Sequence, residues 1–205
     1  MISDYAFLNW GRVPRAKTFQ PAEALDRAME LFWRDGYAAT GLDRLVRRTG
    51  ASRYGLYTTF GGKRDLFVAS LERYSQAVMD PMVRPLEDAG ASAREIRAFF
   101  DRVLALIRRH GDGRGCFICN AAFERGAADP AAAKCVRRHF DRMRRLLARA
   151  LANARRDGSL PHDLAVPACA DHLLGVAAGA FLLARAGMGI GFIRRFVLTT
   201  LKGLR

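Results

Sequence analysis

Cysteine, proline and long apolar runs are all scarce in this chain, and each scarcity removes a class of protein. Four cysteines, Cys116, Cys119, Cys135 and Cys169, are too few for a disulfide-stapled scaffold, and 205 residues can build a core without one. Cys116 and Cys119 form a C-x-x-C. No second such pair and no paired histidines complete a zinc site, and no strand pattern precedes it as a thioredoxin-like centre requires. No metal or cofactor is expected. A Gly-rich phosphate loop and a nucleophile-base arrangement are both missing, so the chain does not read as an enzyme. The longest apolar stretch, around Leu173 to Ala186, is broken by Gly175, Gly179 and Arg185 and falls short of a bilayer span. Neither a basic n-region nor an apolar h-region follows Met1. The expectation is a cytoplasmic protein with no membrane partner. Alternating, period-two runs are absent too, which leaves an all-α reading.

What the chain has in excess is positive charge. A formal net charge of +14 from 34 basic and 20 acidic residues suits a polyanionic partner. Residues 1–70 hold 11 basic and 7 acidic side chains, a balance of +4, so the remaining +10 lies further on. Much of it sits at Arg138, Arg142, Arg145, Arg149 and Arg156, spaced as one face of a helix. That face reads as solvated, with a second nucleic-acid contact as the alternative.

Local chemistry points to one job only between Thr40 and Phe60. Thr40 followed by Asp43 is a capping-box variant that starts a short helix. Leu42, Leu45 and Val46 give it an apolar stripe, and Gly50 supplies the left-handed residue that ends it. Ser52 caps a second short helix at once. Leu56 and Phe60 face inward on it, leaving Arg53, Tyr54, Tyr57 and Thr58 for the outer face. Two short helices joined by a Gly-bearing turn read as a helix-turn-helix for the DNA major groove. Lys63 opens the next helix, where a cation is disfavoured unless an anion such as a DNA phosphate lies opposite.

At Ala24-Leu25, FWRDGYAAT (Phe32 to Thr40), GASRYGLYTTF (Gly50 to Phe60) and GKRDLF (Gly62 to Phe67) the sequence resembles the TetR family of bacterial transcriptional repressors. The resemblance implies an N-terminal arm over residues 1–18, a three-helix DNA-binding domain over 19–66, and an effector-binding and dimerisation body over 67–205. It also implies about nine helices and a homodimer on a palindromic double-stranded operator. In the arm, Arg12, Arg15 and Lys17 would track the minor groove, or the segment is a simple tail. Arg53 would read guanine, Tyr54 a thymine methyl, and Tyr57 and Lys63 phosphates.

Gly and Pro mark the body's boundaries. Helix 1 runs from Pro21 to Gly36, and the helix from Lys63 ends at Pro81 and Pro85. Further helices are expected over Ser92 to His110, to about Ala127, from Asp129-Pro130 to Arg156, from about Asp163 to Arg185, and from Ile190 to Leu201. The family pairs its last two helices across a dimer, which points to Leu174, Ala177, Phe181, Phe192, Phe196 and Val197. Gly175 and Gly179 would permit close approach. These faces otherwise close the chain's own core.

GCFICNAAFE, Gly115 to Glu124, resembles the Gly-Cys segment of a TetR subgroup that includes electrophile- and oxidant-responsive repressors. Cys116 would lie near a helix N-terminus flanked by Arg108, Arg109, His110 and Arg114, where dipole and cations favour the thiolate. Cys119 would resolve a sulfenate or simply pack. Cys116 otherwise fills a helix junction. For a reversible small-molecule effector, the expected pocket lining is Phe99, Phe100, Val103, Phe117, Phe123, Phe140, Met143 and His172. Two other functions compete with the regulator: a sequence-neutral architectural DNA binder, drawing on the excess arginine, and a thiol-based redox enzyme using CFIC.

Overall fold

Proline opens the first helix and glycine breaks it. In a computed structural model that describes residues 19–111, 113–124 and 129–204, α1 spans Pro21–Ala39 with Pro21 in its first turn. Its arm, with Arg12, Arg15 and Lys17, lies outside the described residues. Gly36 leaves helical geometry at φ 82°, a conformation cheap only for glycine, and a Cβ there would collide with the Glu124 carboxylate. Two eight-residue helices follow, α2 over Leu42–Thr49 and α3 over Arg53–Phe60.

The next helix does not stop at its prolines. α4 (Lys63–Tyr74) passes through a π-helical turn (Ser75–Met79) into α5 (Asp80–Glu87) as one continuous rod. Within the π-turn Asp80 N–H bonds the Ser75 carbonyl, five residues back. That wider turn makes Pro81 the opening of a new helical segment, where its missing N–H costs little. Pro85 leaves the Pro81 carbonyl without its usual partner, and Arg102 Nη1 donates to it at 2.6 Å. The expected stop at Pro81 and Pro85 was wrong because other groups supply what the prolines lack.

α6 covers Ala93–Arg109 behind a Ser92/Glu95 capping box. α7 covers Phe117–Glu124, and α8 covers Pro130–Arg156. α9 covers Val166–Arg185 and α10 Ile190–Lys202. With α4 and α5 counted as one rod, the described residues hold nine helical rods and no strand. α9 corrects the reading of its apolar run. Its 20 residues are long and apolar enough to cross a membrane, since Gly175 and Gly179 do not interrupt the helix. Leu173, Val176, Ala177, Ala180 and Phe181 are nevertheless buried against the rest of the protein, as in a core helix.

One apolar cluster runs from α1 to α10. The division between residues 66 and 67 therefore falls inside α4, where Leu66 and Phe67 are both buried. Aromatic edges join the two parts. Phe67 meets Phe32 at 5.2 Å, Tyr37 at 5.0 Å and Phe117 at 5.5 Å, while Tyr74 meets Trp33 at 4.9 Å and Phe117 at 5.7 Å. Each such pair adds about 1 kcal/mol beyond its buried area. Phe117 belongs to this junction of α1, α4 and α7. Arg64 adds a two-pronged pair to Asp129, Nε to Oδ2 at 2.7 Å and Nη2 to Oδ1 at 3.1 Å. Asp129 also caps α8 through the Ala131 and Ala132 amides.

Much of the arginine face of α8 is engaged internally. Arg138 pairs with Glu72, Arg142 with Asp80 and Glu87, and Arg149 donates to the Leu86 and Glu87 carbonyls. These three arginines fasten α8 to the α4–α5 rod, while Arg138, Arg145, Arg149 and Arg156 remain exposed, so the face is solvated as expected and internally paired as well.

Candidate nucleic-acid interface and body cavity

The α2–α3 corner is fixed by short-range chemistry. Gly50 adopts φ 73° and donates to the Val46 carbonyl. The Thr49 hydroxyl donates to Leu45 O at 2.7 Å and accepts from Ala51 N at 3.2 Å. Ser52 Oγ then accepts from Gly55 N–H at 3.0 Å, the expected N-cap of α3. Leu45, Ala51 and Leu56 are buried beneath the corner. The outer face is left with Arg53, Tyr54, Tyr57 and Thr58. Tyr54 is 78% exposed and Tyr57 51% exposed. Arg53 Nη2 lies 2.6 Å from Asp43 Oδ1, an exposed pair worth little on its own. Phe19 packs on α3 so closely that a Cβ on Gly55 would come within 2.8 Å of its ring. Neither Phe19 nor this use of Gly55 was evident in the sequence.

One assignment at this end changes, and a second residue gains a partner within the chain. Thr40 is fully buried and donates to the Gly36 carbonyl at 2.6 Å, while Gly41 holds the N-cap position of α2. Its hydroxyl repairs the break in α1, so it does not face outward to DNA. Lys63 is half-buried with Nζ 4.2 Å from the centre of the Tyr37 ring. This cation–π contact holds the ammonium beside α1.

The body contains a small, mostly apolar cavity of about 20 Å³ lined in part by Phe99, Cys116, Cys119, Phe140 and Met143, but not by Phe100, Val103 or Phe117. Ala177 and Phe181 line it as well, and Val197 is fully buried. These three close the core of the protein itself and are not free for a dimer interface. Phe123 is 76% exposed and His172 lies on the surface, so neither lines the cavity. α7 turns Phe123 outward because Phe117, Ile118, Cys119 and Ala121 occupy its inner face. His139, which sequence reasoning missed, reaches the cavity instead. Burial first, then the nearby Arg142, lowers its pKa to about 4 against the opposing pull of Asp80.

Cys116 and Cys119 are both buried. Cys116 O accepts from Asn120 N–H at 2.9 Å, so Cys116 is the N-cap of α7 and Cys119 is its third residue. Gly115, at φ 63°, sets the turn before it, and its carbonyl accepts the Trp33 indole N–H at 3.0 Å. Burial alone would raise the Cys116 pKa. The Cys119 thiol and amide and, for the charged form, the Tyr74 hydroxyl outweigh it, and the net direction is down. The Cys116 sulfur ahead of burial pushes Cys119 well up. Burial ahead of the Cys116 sulfur does the same to Tyr74. The expected cations are not the cause: Arg114 pairs with Glu30 at 3.0 Å and His110 meets the Trp33 ring edge to face at 4.7 Å.

Both ends of α7 are clasped by α1. Trp33 holds Gly115 at one end. At the other, Tyr37 N–H donates to Glu124 Oε2 at 2.6 Å. Leu182, Met188, Ile190, Phe192 and Phe196 are large apolar side chains left exposed on α9, α10 and their connection. Leu174 is half-buried and lines the cavity.

Sequence comparison adds independent support. The family model described as bacterial regulatory proteins, tetR family, matches residues 24–70, and the tetracyclin repressor-like C-terminal domain matches residues 92–190. The chain is 32% identical over 146 residues to the uncharacterized HTH-type transcriptional regulator YezE of Bacillus subtilis, covering 71% of this chain and 75% of that protein. It is 29% identical over 189 residues to the HTH-type transcriptional repressor ComR of Escherichia coli, covering 92% and 90%. Among solved structures, a cysteine mutant of the TetR family transcriptional regulator CifR, complexed with 26bp double-strand operator DNA, superposes with a TM-score of 0.77. It shares 26% identity, covering 93% of this chain and 98% of that one.

Proposed function

We propose, from the premise that this chain belongs to the TetR family of bacterial regulatory proteins, that it is a dimeric repressor released from its operator by a chemical signal in its body. The observation that carries the reading is α3, capped by Ser52 and seated by Leu56, with Arg53, Tyr54, Tyr57 and Thr58 turned outward. The likeness to a regulator solved on operator DNA gives such a face its partner. Arg53 reads guanine, Tyr54 packs on a thymine methyl, and Tyr57 and Lys63 meet phosphates. Dimerisation uses Phe192 and Phe196 together with Leu182 and Ile190, which are exposed in the single chain. Gly175 leaves open space beside them for a close helix crossing.

The signal is best read as thiol chemistry at Cys116. The cavity beside Cys116, about 20 Å³, has room for roughly one water molecule, whereas the larger hollows of about 270 to 440 Å³ are lined by neither Cys116 nor Cys119. Modification of a sulfur needs no larger preformed pocket. Because α1 clasps α7 at Gly115 and at Glu124, displacement of α7 is passed to the helix on which α2 and α3 are seated. The equilibrium then shifts toward an arrangement of the two heads that no longer fits DNA. The test is fluorescence anisotropy with duplexes from the DNA flanking the protein's own gene, against a scrambled duplex at physiological salt. A preference of about a thousandfold or more is expected; uniform weak binding across the whole flanking region and the scrambled control would count against the reading.

A further inference from the structure

The two thiols of α7 occupy positions that normally serve a helix cap. An N-cap side chain reaches toward the amide of the third helical residue, and in a capping box the side chain of that third residue reaches back. Here both positions are cysteine, and both side chains line the same cavity. Cα atoms three residues apart in a helical turn are separated by about 5 Å, inside the window that a disulfide spans. Beside them the Tyr74 hydroxyl is fully buried and has no hydrogen-bond partner. An orphan of this kind is expensive, and it marks a place where a charged or oxygenated sulfur would be served.

We propose that Cys116 and Cys119 form an oxidisable dithiol that closes to a disulfide within the first turn of α7, with hydroperoxide as oxidant and Tyr74 as a positioning hydroxyl. The Cys116 thiolate attacks the terminal peroxide oxygen. The O–O bond breaks, the leaving alkoxide or hydroxide departs protonated, and Cys116 becomes a sulfenic acid. Cys119 then attacks that sulfur. The S–S bond forms, the S–O bond breaks, and the Cys119 proton leaves with the hydroxyl as water. Two thiols and one hydroperoxide give one disulfide, one alcohol or water, and one further water. Both electrons lost by sulfur are accepted by the peroxide.

The neighbours suit these roles. Cys116 is the thiol with lowered pKa, whereas Cys119 is held protonated by the adjacent sulfur and by burial. Tyr74 donates to the thiolate and then to the sulfenic oxygen. Cys135 and Cys169 have thiols raised by burial, and neither lines the cavity. Closing the disulfide draws Cys116 from Tyr74 and shifts the turn that Trp33 grips. That consequence for DNA rests on the repressor reading; the disulfide itself does not.

Trypsin cuts after Arg114 and Arg125, which leaves both cysteines and no other in the peptide 115–125. Intact protein is treated with hydrogen peroxide, alkylated under denaturing conditions and digested. The expected peptide is about 2 Da lighter and unalkylated at both cysteines. In Cys119→Ser the same treatment is expected to leave Cys116 as a sulfenic acid trapped by dimedone. Tyr74→Phe is expected to slow oxidation several-fold without changing its product. A peptide alkylated at both positions, carrying sulfinate on one cysteine, or linked to Cys135 or Cys169 would overturn the proposal. Operator binding by the same oxidised sample separates the two claims: a formed disulfide with undiminished affinity leaves the chemistry standing and removes its role in release.

Discussion

α3 and α7 are both eight residues long, and they are built for opposite tasks. α3 buries one side chain, Leu56, and presents two tyrosines to solvent. α7 buries Phe117, Ile118, Cys119 and Ala121. The same structural position differs as well: the N-cap of α3 is Ser52, satisfied by the Gly55 amide, whereas the N-cap of α7 is a buried cysteine facing a second one. A hydroxyl at a cap only stabilises a helix. A thiol there can also change its covalent state. On the reading proposed above, the contrast separates a reading surface, seated and otherwise passive, from an internal element whose chemistry would alter the helix that carries the surface.

Breaking the inner helix should have the largest effect. Phe117→Ala empties an aromatic junction between α1, α4 and α7 and is expected to cost about 3–5 kcal/mol, whereas Phe123→Ala, six residues on, should stay within about 0.5 kcal/mol. Urea unfolding of the two variants checks this, and equal losses would mean that α7 does not hold the two parts together. Acid should strike the same region next. His139 has a folded pKa of about 4 and an unfolded value near 6.5. Between those values the unfolded chain binds a proton that the native one refuses, so stability is full above about pH 6.5 and falls as pH drops toward 4. The loss is about 3 kcal/mol, and urea midpoints from pH 7 to 4.5 should flatten in His139→Leu.

The outer helix should respond on DNA instead. Arg53→Ala or Tyr54→Ala is expected to lower operator affinity by about 1–3 kcal/mol, roughly five- to 150-fold, and to relax base preference. Lys63→Ala should weaken all sequences alike; indistinguishable losses in the three would erase the division between base and phosphate contacts. Ser52→Ala should give the smallest change, about 1 kcal/mol of stability from the lost cap, measured as a shift in the thermal midpoint.

The parts of this contrast that were legible in the sequence are those written in local chemistry. Ser52, Gly50 and the Asp129-Pro130 start act through their own backbone neighbourhood, and the structure keeps them where the pattern put them. What escaped were partners distant along the chain. The Arg102 bond to the Pro81 carbonyl rescues a helix that its prolines should end, and the Gly36 break draws Thr40 inward. Ala177, Phe181 and Val197 have the apolar character of an interface, and only the packing of α9 and α10 shows that they face the chain's own core. Cys116 was legible as a helix N-terminus, but not its buried neighbour Tyr74, forty-two positions earlier.

The most direct test uses the matched exposed aromatics of the two helices, Tyr54 on α3 and Phe123 on α7, 78% and 76% exposed. A benzophenone amino acid placed at either position and irradiated on bound operator should cross-link to DNA from position 54 and not from position 123. Cross-linking that is absent at 54, or equal at both positions, would contradict the assignment of α3 as the reading surface and α7 as an internal element.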